Sequence, residues 1–444
     1  MRRLVILVLL LALSGCSAED FTNPFGWFSG HEKPHLKGER IPVLLDERQV
    51  RPDPDIQDVE VSLPKPWLNP DWPQAGGNPA HAMQNLQLGD NLKRIWDVSI
   101  GSGKSQEWKH LAAPVIGGGR IYTMDTDAIV TAFDSKGSEL WETDVKPEDV
   151  GGKGDLGGGL AYADGRVYVT SNYGEVLALD AKSGKILWRR ALSAPTRAAP
   201  TVAGDHVYVV TSDNQLFALS SKDGNVLWTH AGLSEITGLV GAASPAYDGG
   251  IVVVPYTSGE IYALRGDNGR PVWSDTLAAI RRVDQVSALA DIRGNPVMDR
   301  DRVVAISHSG RMVSIDLRSG GRAWEDSIGG ITQPWVAGNF IYVMSTDNKL
   351  ICLSREDGRV RWLTQLDRWG KPDKKEDIIL WTGPILAGDK LVVGGTNGEL
   401  LIVSPLTGQV TDTVDIGTPI SVQPIVANGT LYVLTDDGTL LAYH

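Results

Sequence analysis

Short apolar runs dominate the chain from about Asn91 to its end. They are mostly four to six residues long, many alternate apolar with polar positions, and clusters of Gly, Asp, Asn and Ser separate them. This pattern predicts β-strands joined by tight turns. No long segment repeats apolar residues at the spacing of an amphipathic helix, so the sequence predicts an all-β domain.

An eleven-residue pattern recurs along these strands. The clearest copy reads ALDAKSGKILW, with Ala178, Asp180, Gly184 and Trp188 at fixed spacing. Four strands in each period of about 40 to 50 residues are typical of β-propeller blades. The tryptophans of successive copies are Trp96, Trp141, Trp188, Trp228, Trp273, Trp324 and Trp362.

The two ends of the chain predict how the ring closes. Eight copies of the second strand are present, and the last unit stops after its third strand, at His444. The strand of Trp96 is not preceded by the first three strands of a blade. We therefore expect it to pair with the third strand of the last blade as its fourth strand, which removes two unpaired sheet edges. We therefore predict an eight-bladed β-propeller of four-stranded antiparallel blades over residues 71–444. Asp412 stands at the tryptophan position of the seventh blade.

Each position of the repeated pattern has an expected physical role. Glycine suits the turn between the third and fourth strands because it tolerates a positive φ. The tryptophan is expected to pack on the neighbouring blade with its indole N–H on a carbonyl, and Trp188→Ala to cost about 3–5 kcal/mol. The alanine position is expected to be small because blades approach closely there, and its occupants are Ala132, Ala178, Ala218, Ala263, Ser314 and Cys352.

The N-terminus predicts export and lipid attachment. Arg2 and Arg3 precede an apolar run over residues 4–13, and Leu-Ser-Gly-Cys follows, ending at Cys16. The run is too short for a transmembrane helix, which needs about 20 apolar residues. It resembles the signal of a bacterial lipoprotein, which implies a signal peptide over residues 1–15 and acyl chains on Cys16. An ordinary secretory leader with a chance cysteine is the alternative.

Residues 16–70 predict an extended tether that begins at the lipidated cysteine. They are rich in proline and charge and show no sustained hydrophobic period. Such a tether would let the propeller stand away from the membrane that holds its anchor.

Charge and cysteine content narrow the classes of partner and of chemistry. The formal net charge is −12, which repels nucleic-acid phosphate, so no nucleic-acid partner is expected. Beyond Cys16 only Cys352 is present, so the mature chain has no intramolecular disulfide, and Cys352 is expected to be a buried small side chain.

Two further motifs match catalytic patterns only in part. HEKPH, over residues 31–35, has the letters of a zinc-protease motif, but Pro34 opposes the helix that would place both histidines on one face. GSGKS, over residues 101–105, resembles a phosphate loop but has Val98 in place of the first glycine, so a polar loop between blades is expected. The other histidines have no ligand spacing, and no metal site is predicted.

The repeated pattern resembles the tryptophan-docking motif of propellers of the pyrroloquinoline-quinone type, and residues 71–83, DWPQAGGNPAHAM, resemble the opening of quinoprotein dehydrogenases. That resemblance implies a vicinal disulfide, carboxylate and amide metal ligands and a catalytic aspartate. The cysteine content excludes the disulfide, and no cluster marks a metal cage. We therefore expect no catalytic residues and no cofactor. A quinoprotein-type dehydrogenase, or a propeller that binds a glycan or small ligand in its central funnel, is the alternative.

The lipoprotein signal, the proline-rich tether and a ring without the enzyme's residues together resemble the BamB family of the outer-membrane β-barrel assembly machinery. The resemblance implies a non-enzymatic scaffold that docks on the barrel-assembly protein BamA and assists folding and insertion of outer-membrane proteins, which are expected as further partners. Ser17, where an aspartate would favour the inner membrane, implies a lipid-anchored protein of the outer membrane that faces the periplasm.

The family resemblance also implies a docking surface on two neighbouring loops between blades. In the first, TGLVGAASP, Leu239 matches a leucine of the family pattern, whereas Thr237 and Val240 replace a leucine and an arginine. In the second, LADIRGNP, Asp291 matches and Arg293 replaces an acidic residue. The resemblance thus implies partner contacts at Leu239, Val240, Asp291 and Arg293 with altered charge.

Each of the two matching residues could instead have a purely structural role. Leu239 would then be a buried loop anchor, and Asp291 a solvated or turn-capping carboxylate. From Asp291→Ala the sequence predicts nearly unchanged stability and weaker partner binding.

Overall fold

The structure is a computed structural model that describes residues 50–105, 111–148, 158–234, 241–278 and 290–444. Residues 50–444 form one compact unit. Eight four-stranded antiparallel sheets are arranged as an eight-bladed propeller, which confirms the predicted fold class.

The strands follow one another in chain order, and each blade runs from an inner to an outer strand. The first blade contains β2 (Val115–Gly117), β3 (Arg120–Met124), β4 (Ile129–Asp134) and β5 (Glu139–Asp144), and the second contains β6 (Gly158–Ala163), β7 (Arg166–Ser171), β8 (Glu175–Asp180) and β9 (Ile186–Ala191). The third blade contains β10 (Thr201–Ala203), β11 (His206–Val210), β12 (Gln215–Ser220) and β13 (Val226–Ala231), and the fourth contains β14 (Ala246–Asp248), β15 (Ile251–Pro255), β16 (Glu260–Arg265) and β17 (Pro271–Thr276). Blades five to seven contain β18 (Val297–Asp299), β19 (Arg302–Ser307), β20 (Arg311–Asp316) and β21 (Arg322–Asp326); β22 (Trp335–Ala337), β23 (Phe340–Met344), β24 (Lys349–Ser354) and β25 (Val360–Gln365); β28 (Trp381–Ala387), β29 (Lys390–Gly395), β30 (Glu399–Val403) and β31 (Val410–Asp415).

The eighth blade joins the two ends of the domain. It contains β32 (Ile425–Ala427), β33 (Thr430–Leu434) and β34 (Thr439–Tyr443), and its outer strand is β1 (Arg94–Ser99). In the pairing of β1 with β34, Trp96 lies opposite Ala442. The N-terminal strand therefore closes the ring as predicted.

A small hairpin between blades six and seven was not predicted. It consists of β26 (Trp369–Lys371) and β27 (Glu376–Ile378). Its sequence is dominated by charged residues and has no apolar alternation, so the strand pattern gave no signal for it.

The tryptophans of the repeated pattern join each blade to the next. Each indole Nε1 donates to a backbone carbonyl in the turn between the third and fourth strands of the following blade. The same turn contains the glycine of the next copy: a Cβ on Gly184, whose φ is +72°, would lie 2.5 Å from the ring of Trp141. The bonds run from Trp96 to Ser135, Trp141 to Ala181, Trp188 to Ser221, Trp228 to Gly266, Trp273 to Leu317, Trp324 to Arg355 and Trp362 to Pro405, at 2.8–3.2 Å.

The small residue of the pattern lies directly beneath the tryptophan. In the sixth blade Cys352 pairs with Trp362 on one side and with Tyr342 on the other. The two aromatic rings meet over it, with centroids 6.0 Å apart. Cys352 is fully buried, and burial raises the pKa of its thiol. Ala132, Ala178, Ala218, Ala263 and Ser314 occupy the same place in blades one to five.

The seam between the seventh and eighth blades departs from this arrangement. Asp412 replaces the tryptophan, and Ile402 replaces the small residue opposite it. The eighth blade has no turn between its third and fourth strands, because β34 and β1 come from opposite ends of the domain. The tryptophan is thus missing where the neighbouring blade has no turn to receive it.

Residues 50–68, within the segment predicted as a tether, lie against the propeller. Ile56 and Val61 are buried, and the Asp53 N–H donates to the Val360 carbonyl at the start of β25 (2.8 Å). The Arg361 guanidinium donates to the Val59 carbonyl (2.9 Å). This part of the chain therefore covers the outer edge of the sixth blade.

Residues 69–86 run once around the inside of the ring. They bond to the inner strands in the order eight, one, two, three, four, five, six, seven. Of these residues, Trp72, His81 and Leu86 are at most 2% exposed. The bonded pairs are Asn69 with Val426, Trp72 with Ile116, Pro73 with Tyr162, Gln74 with Val202, Pro79 with Tyr247, Ala80 with Met298, Gln84 with Trp335 and Leu86 with Leu386. We call residues 69–86 the inner segment.

His81 is the buried titratable group of the inner segment. Its Nδ1 lies 2.7 Å from the Pro296 carbonyl and therefore carries the proton, whereas Nε2 is buried without a hydrogen-bond partner among the described residues. Burial lowers the pKa of His81 to about 4, although the Pro296 carbonyl opposes this. The imidazole is thus neutral at the centre of the ring.

Removal of a docking tryptophan is expected to destabilise the protein strongly where the ring is buried. Trp362 is 6% exposed, so Trp362→Ala should cost about 3–5 kcal/mol in urea unfolding. Trp188 is only half-buried, and its removal should cost less than the sequence predicted. Trp362→Phe keeps a smaller aromatic ring and loses the bond to Pro405, so it should cost more than the roughly 1 kcal/mol of that bond but less than Trp362→Ala. An unchanged unfolding midpoint for Trp362→Ala would contradict the role of the seam.

Acid is expected to destabilise the protein through His81. Its folded-state pKa of about 4 lies below the ordinary 6.5, so the unfolded chain takes up the proton first. Stability should fall as the pH drops from 6.5 to 4, by roughly 3 kcal/mol in total, and then level off with respect to this group. His81→Asn, which tolerates the positive φ of 59°, should remove that part of the pH dependence in urea titrations. An equal slope in both proteins would refute the assignment to His81.

Candidate docking surface

The loops between blades and the turns between second and third strands lie on one face of the ring, which we call the loop face. The two loops that the family resemblance singled out follow β13 and β17 and therefore lie side by side on it. Thr237, Leu239 and Val240 lie outside the described residues, whereas Asp291 and Arg293 are described.

The described ends of these two loops meet at Arg293. A Cβ on Gly241, whose φ is +85°, would lie 3.2 Å from Nε of Arg293. The Ser244 N–H donates to Oδ1 of Asn295 (2.8 Å), which ties the same two loops together a few residues later. The described ends of the two loops are thus in contact with each other.

Asp291 is buried in the second of these loops. It is 1% exposed, and its carbonyl accepts a bond from the His308 N–H (3.0 Å). Burial lowers the pKa of the half-buried Arg293 guanidinium, and the negative charge of Asp291 opposes that shift. Asp291 is therefore not the solvated carboxylate that the sequence allowed, and its charge acts on Arg293 from inside the protein.

Lys104 is a second cation of the loop face, which the sequence did not single out as a site residue. It belongs to GSGKS, which lies in the connection from β1 to β2 and forms a loop as expected. Its Nζ is 3.3 Å from a carboxylate oxygen of Asp436 and donates to Ser421. Burial lowers the pKa of Lys104, Asp436 opposes this, and nearby Arg293 adds to it. Only the folded ring brings Lys104 near Arg293.

A cleft between blades three and four opens beside Ile292. Its empty volume is about 300 Å³, solvent included, and Arg197, Asn214, Ala243 and Thr257 are among its lining residues. Because that volume includes open solvent, the cleft is not an enclosed cavity of the size that holds a small molecule. The cleft is an open depression in the loop face and does not favour a glycan or small-ligand site.

The described residues do not fit a quinone cofactor. The inner segment fills the interior of the ring at the level of the inner strands with Trp72, His81 and Leu86, all buried. Two of its polar side chains bond to backbone: Gln74 exchanges two bonds of 2.8 Å with Val202, and Asn69 donates to Val426. In the part of the chain that the structure describes, no three His, Cys, Asp or Glu side chains gather as a metal site.

Two of the predicted N-terminal features lie outside the described residues. These are the lipid-attachment residue Cys16 and the HEKPH motif at residues 31–35. Over the described ranges, no helix has the length and apolar character needed to cross a bilayer.

Comparison with known proteins identifies the family. A family model described as outer membrane protein assembly factor BamB matches residues 126–364, more than half of the chain. The chain belongs to the BamB family. An outer membrane protein assembly factor BamB of Salmonella typhimurium is 30% identical over 354 residues, which cover 78% of this chain and 88% of the relative. The BamB of Xanthomonas campestris is 27% identical over 445 residues, 98% of this chain and 97% of the relative.

Solved structures share the fold. BamB from Moraxella catarrhalis has a TM-score of 0.68 at 23% identity, covering 80% of this chain and 100% of that one. Quinohemoprotein alcohol dehydrogenase from Comamonas testosteroni has a TM-score of 0.63 at 14% identity, covering 84% and 80%. At these identities the likeness establishes the propeller architecture for both, and the sequence relatives distinguish the BamB family from the dehydrogenases.

Removal of the Asp291 carboxylate is expected to destabilise the protein, contrary to the expectation from sequence. Asp291 is buried, and its negative charge favours the charged form of Arg293. Asp291→Ala should therefore lower the free energy of unfolding by about 1–3 kcal/mol, measured in urea. Asp248→Ala is the control, since Asp248 is exposed at the end of β14. Equal stability of both variants would show that Asp291 has no structural role.

Proposed function

We propose that the protein is a non-enzymatic, lipid-anchored scaffold of the periplasmic side of the outer membrane. It docks on a BamA-like barrel-assembly protein and assists the folding and insertion of outer-membrane proteins. The observation that carries the proposal is the match to BamB assembly factors, which spans 88% of the Salmonella relative. The lipoprotein-like signal ending at Cys16 supports the anchor.

The docking surface of this proposal is the part of the loop face that contains residues 237–241 and 291–293. Its support is the meeting of Gly241 with Arg293, which makes one surface from two loops. Within it, Leu239 and Val240 supply apolar contacts and Arg293 supplies a charge. Asp291 acts as a positioning residue, because it is buried and its negative charge favours the charged form of Arg293.

The absence of catalysis is part of the same proposal. The buried side chains that the inner segment places against the inner strands support the absence of a quinone. The residues that depart from the repeated pattern therefore lie on the loops between blades, where a scaffold that recognises other proteins is expected to make its contacts.

Photo-crosslinking in cells tests the docking surface. A photoreactive amino acid at position 239 or 293 should give an adduct with a large outer-membrane barrel protein. The same residue at position 270, exposed in the turn before β17 on the opposite face, is the control. An adduct of equal yield from position 270, or none from 239 and 293, would contradict the proposed surface.

Charge reversal provides a second measurement of the same contact. Arg293→Glu should lower recovery of the barrel protein with the detergent-solubilised chain at least tenfold, whereas Arg270→Glu should leave it unchanged. The melting temperatures of both variants show whether they are folded. Reduced recovery of the barrel protein indicates weaker docking only if the variant melts at the wild-type temperature.

A further inference from the structure

The outer strand of each blade presents a sheet edge to solvent. Such edges pair with extended segments of other chains, and soluble proteins protect them with charges, proline or a covering segment. All eight outer strands have a β-bulge beside the tryptophan position, and seven of them are protected in addition in one of these ways. Their protecting residues are Arg94 and Asp97 in β1, Glu139, Glu142 and Asp144 in β5, Arg189 and Arg190 in β9, Pro271 and Asp275 in β17, Arg322, Glu325 and Asp326 in β21, Arg361 in β25, and Asp412 and Asp415 in β31.

The outer strand of the third blade is the exception. β13, VLWTHA, contains no Asp, Glu, Lys, Arg or Pro. Val226 and Leu227 are 46% and 49% exposed, and no other outer strand has two consecutive exposed large apolar residues. Burial lowers the pKa of His230, whose Nδ1 is 2.9 Å from the Tyr256 hydroxyl, so this side chain adds no charge at neutral pH.

The sixth blade shows that an outer strand of this protein accepts a passing segment. Residues 50–61 cover β25, where the Asp53 N–H donates to the Val360 carbonyl, with Ile56 and Val61 buried. Within the described ranges, β25 is the one outer strand whose backbone bonds to backbone outside its own blade. The chain covers this edge itself and leaves the uncharged edge of β13 without such a cover among the described residues.

We propose that the edge of β13 binds an extended segment of an unfolded outer-membrane protein, which adds to the third blade as a fifth strand. This inference rests on the proposed function, because that function supplies the clients. Strands of outer-membrane barrels are segments of about ten residues that alternate apolar and polar side chains and carry few charges on the apolar side. Main-chain bonds along an edge give affinity for many sequences, and exposed apolar side chains give the preference for alternation.

The chemistry of the edge fits such a client better than a charged partner. An uncharged strand repels neither sign of charge, and Val226 and Leu227, both exposed at the bulge that precedes Trp228, offer apolar contact to an incoming segment. One unpaired edge of six residues binds weakly and releases its occupant readily, which suits a segment that must move on to a membrane.

Peptide binding to the full-length chain tests the proposal. The probe is a fluorescein-labelled ten-residue peptide that alternates Val or Tyr with Thr or Ser; the reference peptide has the same composition with its apolar residues in one block. The wild-type protein should bind the alternating peptide saturably and at least fivefold more tightly than the reference. Leu227→Lys, which adds the missing charge, should weaken that binding at least tenfold.

Leu140→Lys is the matched control. Leu140 precedes the docking tryptophan of the first blade as Leu227 does in the third, is 46% exposed, and lies on an edge that already contains Glu139 and Glu142. This variant should change peptide affinity less than twofold. Equal weakening by both lysines, or no saturable binding by the wild type, overturns the proposal.

A second measurement separates this edge from the docking surface. Leu227→Lys should leave the crosslink from position 239 to the barrel-assembly protein unchanged. If Leu227→Lys abolishes that crosslink and leaves peptide affinity unchanged, the edge binds the docking partner and the client proposal is wrong. If peptide binding behaves as expected and the crosslink from position 239 is absent in the wild type, the docking proposal fails on its own.

Discussion

The contact between a tryptophan and the turn of the next blade holds the ring together. Each such contact needs three residues that are far apart in space before folding: the indole, a glycine at positive φ beneath it, and a small residue opposite it in its own blade. Trp141, Gly184 and Ala132 are one set. Because every seam but one uses the same set, the pattern must be repeated in sequence, which is why it was readable there. The seam without it, at Asp412 and Ile402, lies beside the blade assembled from both chain ends.

Local periodicity explains which parts of the fold were predictable. Strand alternation, turn glycines and the tryptophan spacing are encoded within one blade, so the blade number and the closing strand followed from the sequence. The inner segment was not predictable, because residues 69–86 bond mainly through backbone atoms that any sequence provides. The β26–β27 hairpin was missed for a related reason, since its strands bury no apolar face and leave no alternating pattern.

Burial limited what the sequence revealed about the docking surface. The family resemblance located two loops, and the fold places them side by side. The resemblance did not reveal that Asp291 is 1% exposed, because aspartate occurs both in solvated turns and in the interior of proteins. Lys104 is a further case: its neighbours Asp436 and Arg293 come from distant parts of the sequence, and only ring closure brings the three together.

The inner segment is matched to the number of blades in the ring. It meets the eight inner strands one after another in the order of the ring, so each blade has one place on it. The entropic cost of closing the loop to a distant blade grows slowly with its length. Gln74 and Val202 are 128 residues apart and Asn69 and Val426 are 357 apart, and the longer loop costs only about 1 kcal/mol more to close. A ring with a duplicated blade would need a longer segment. A stretch of chain that contains no repeat is thus matched in length to the number of repeats, and a ninth blade would leave one inner strand without its bond to this segment.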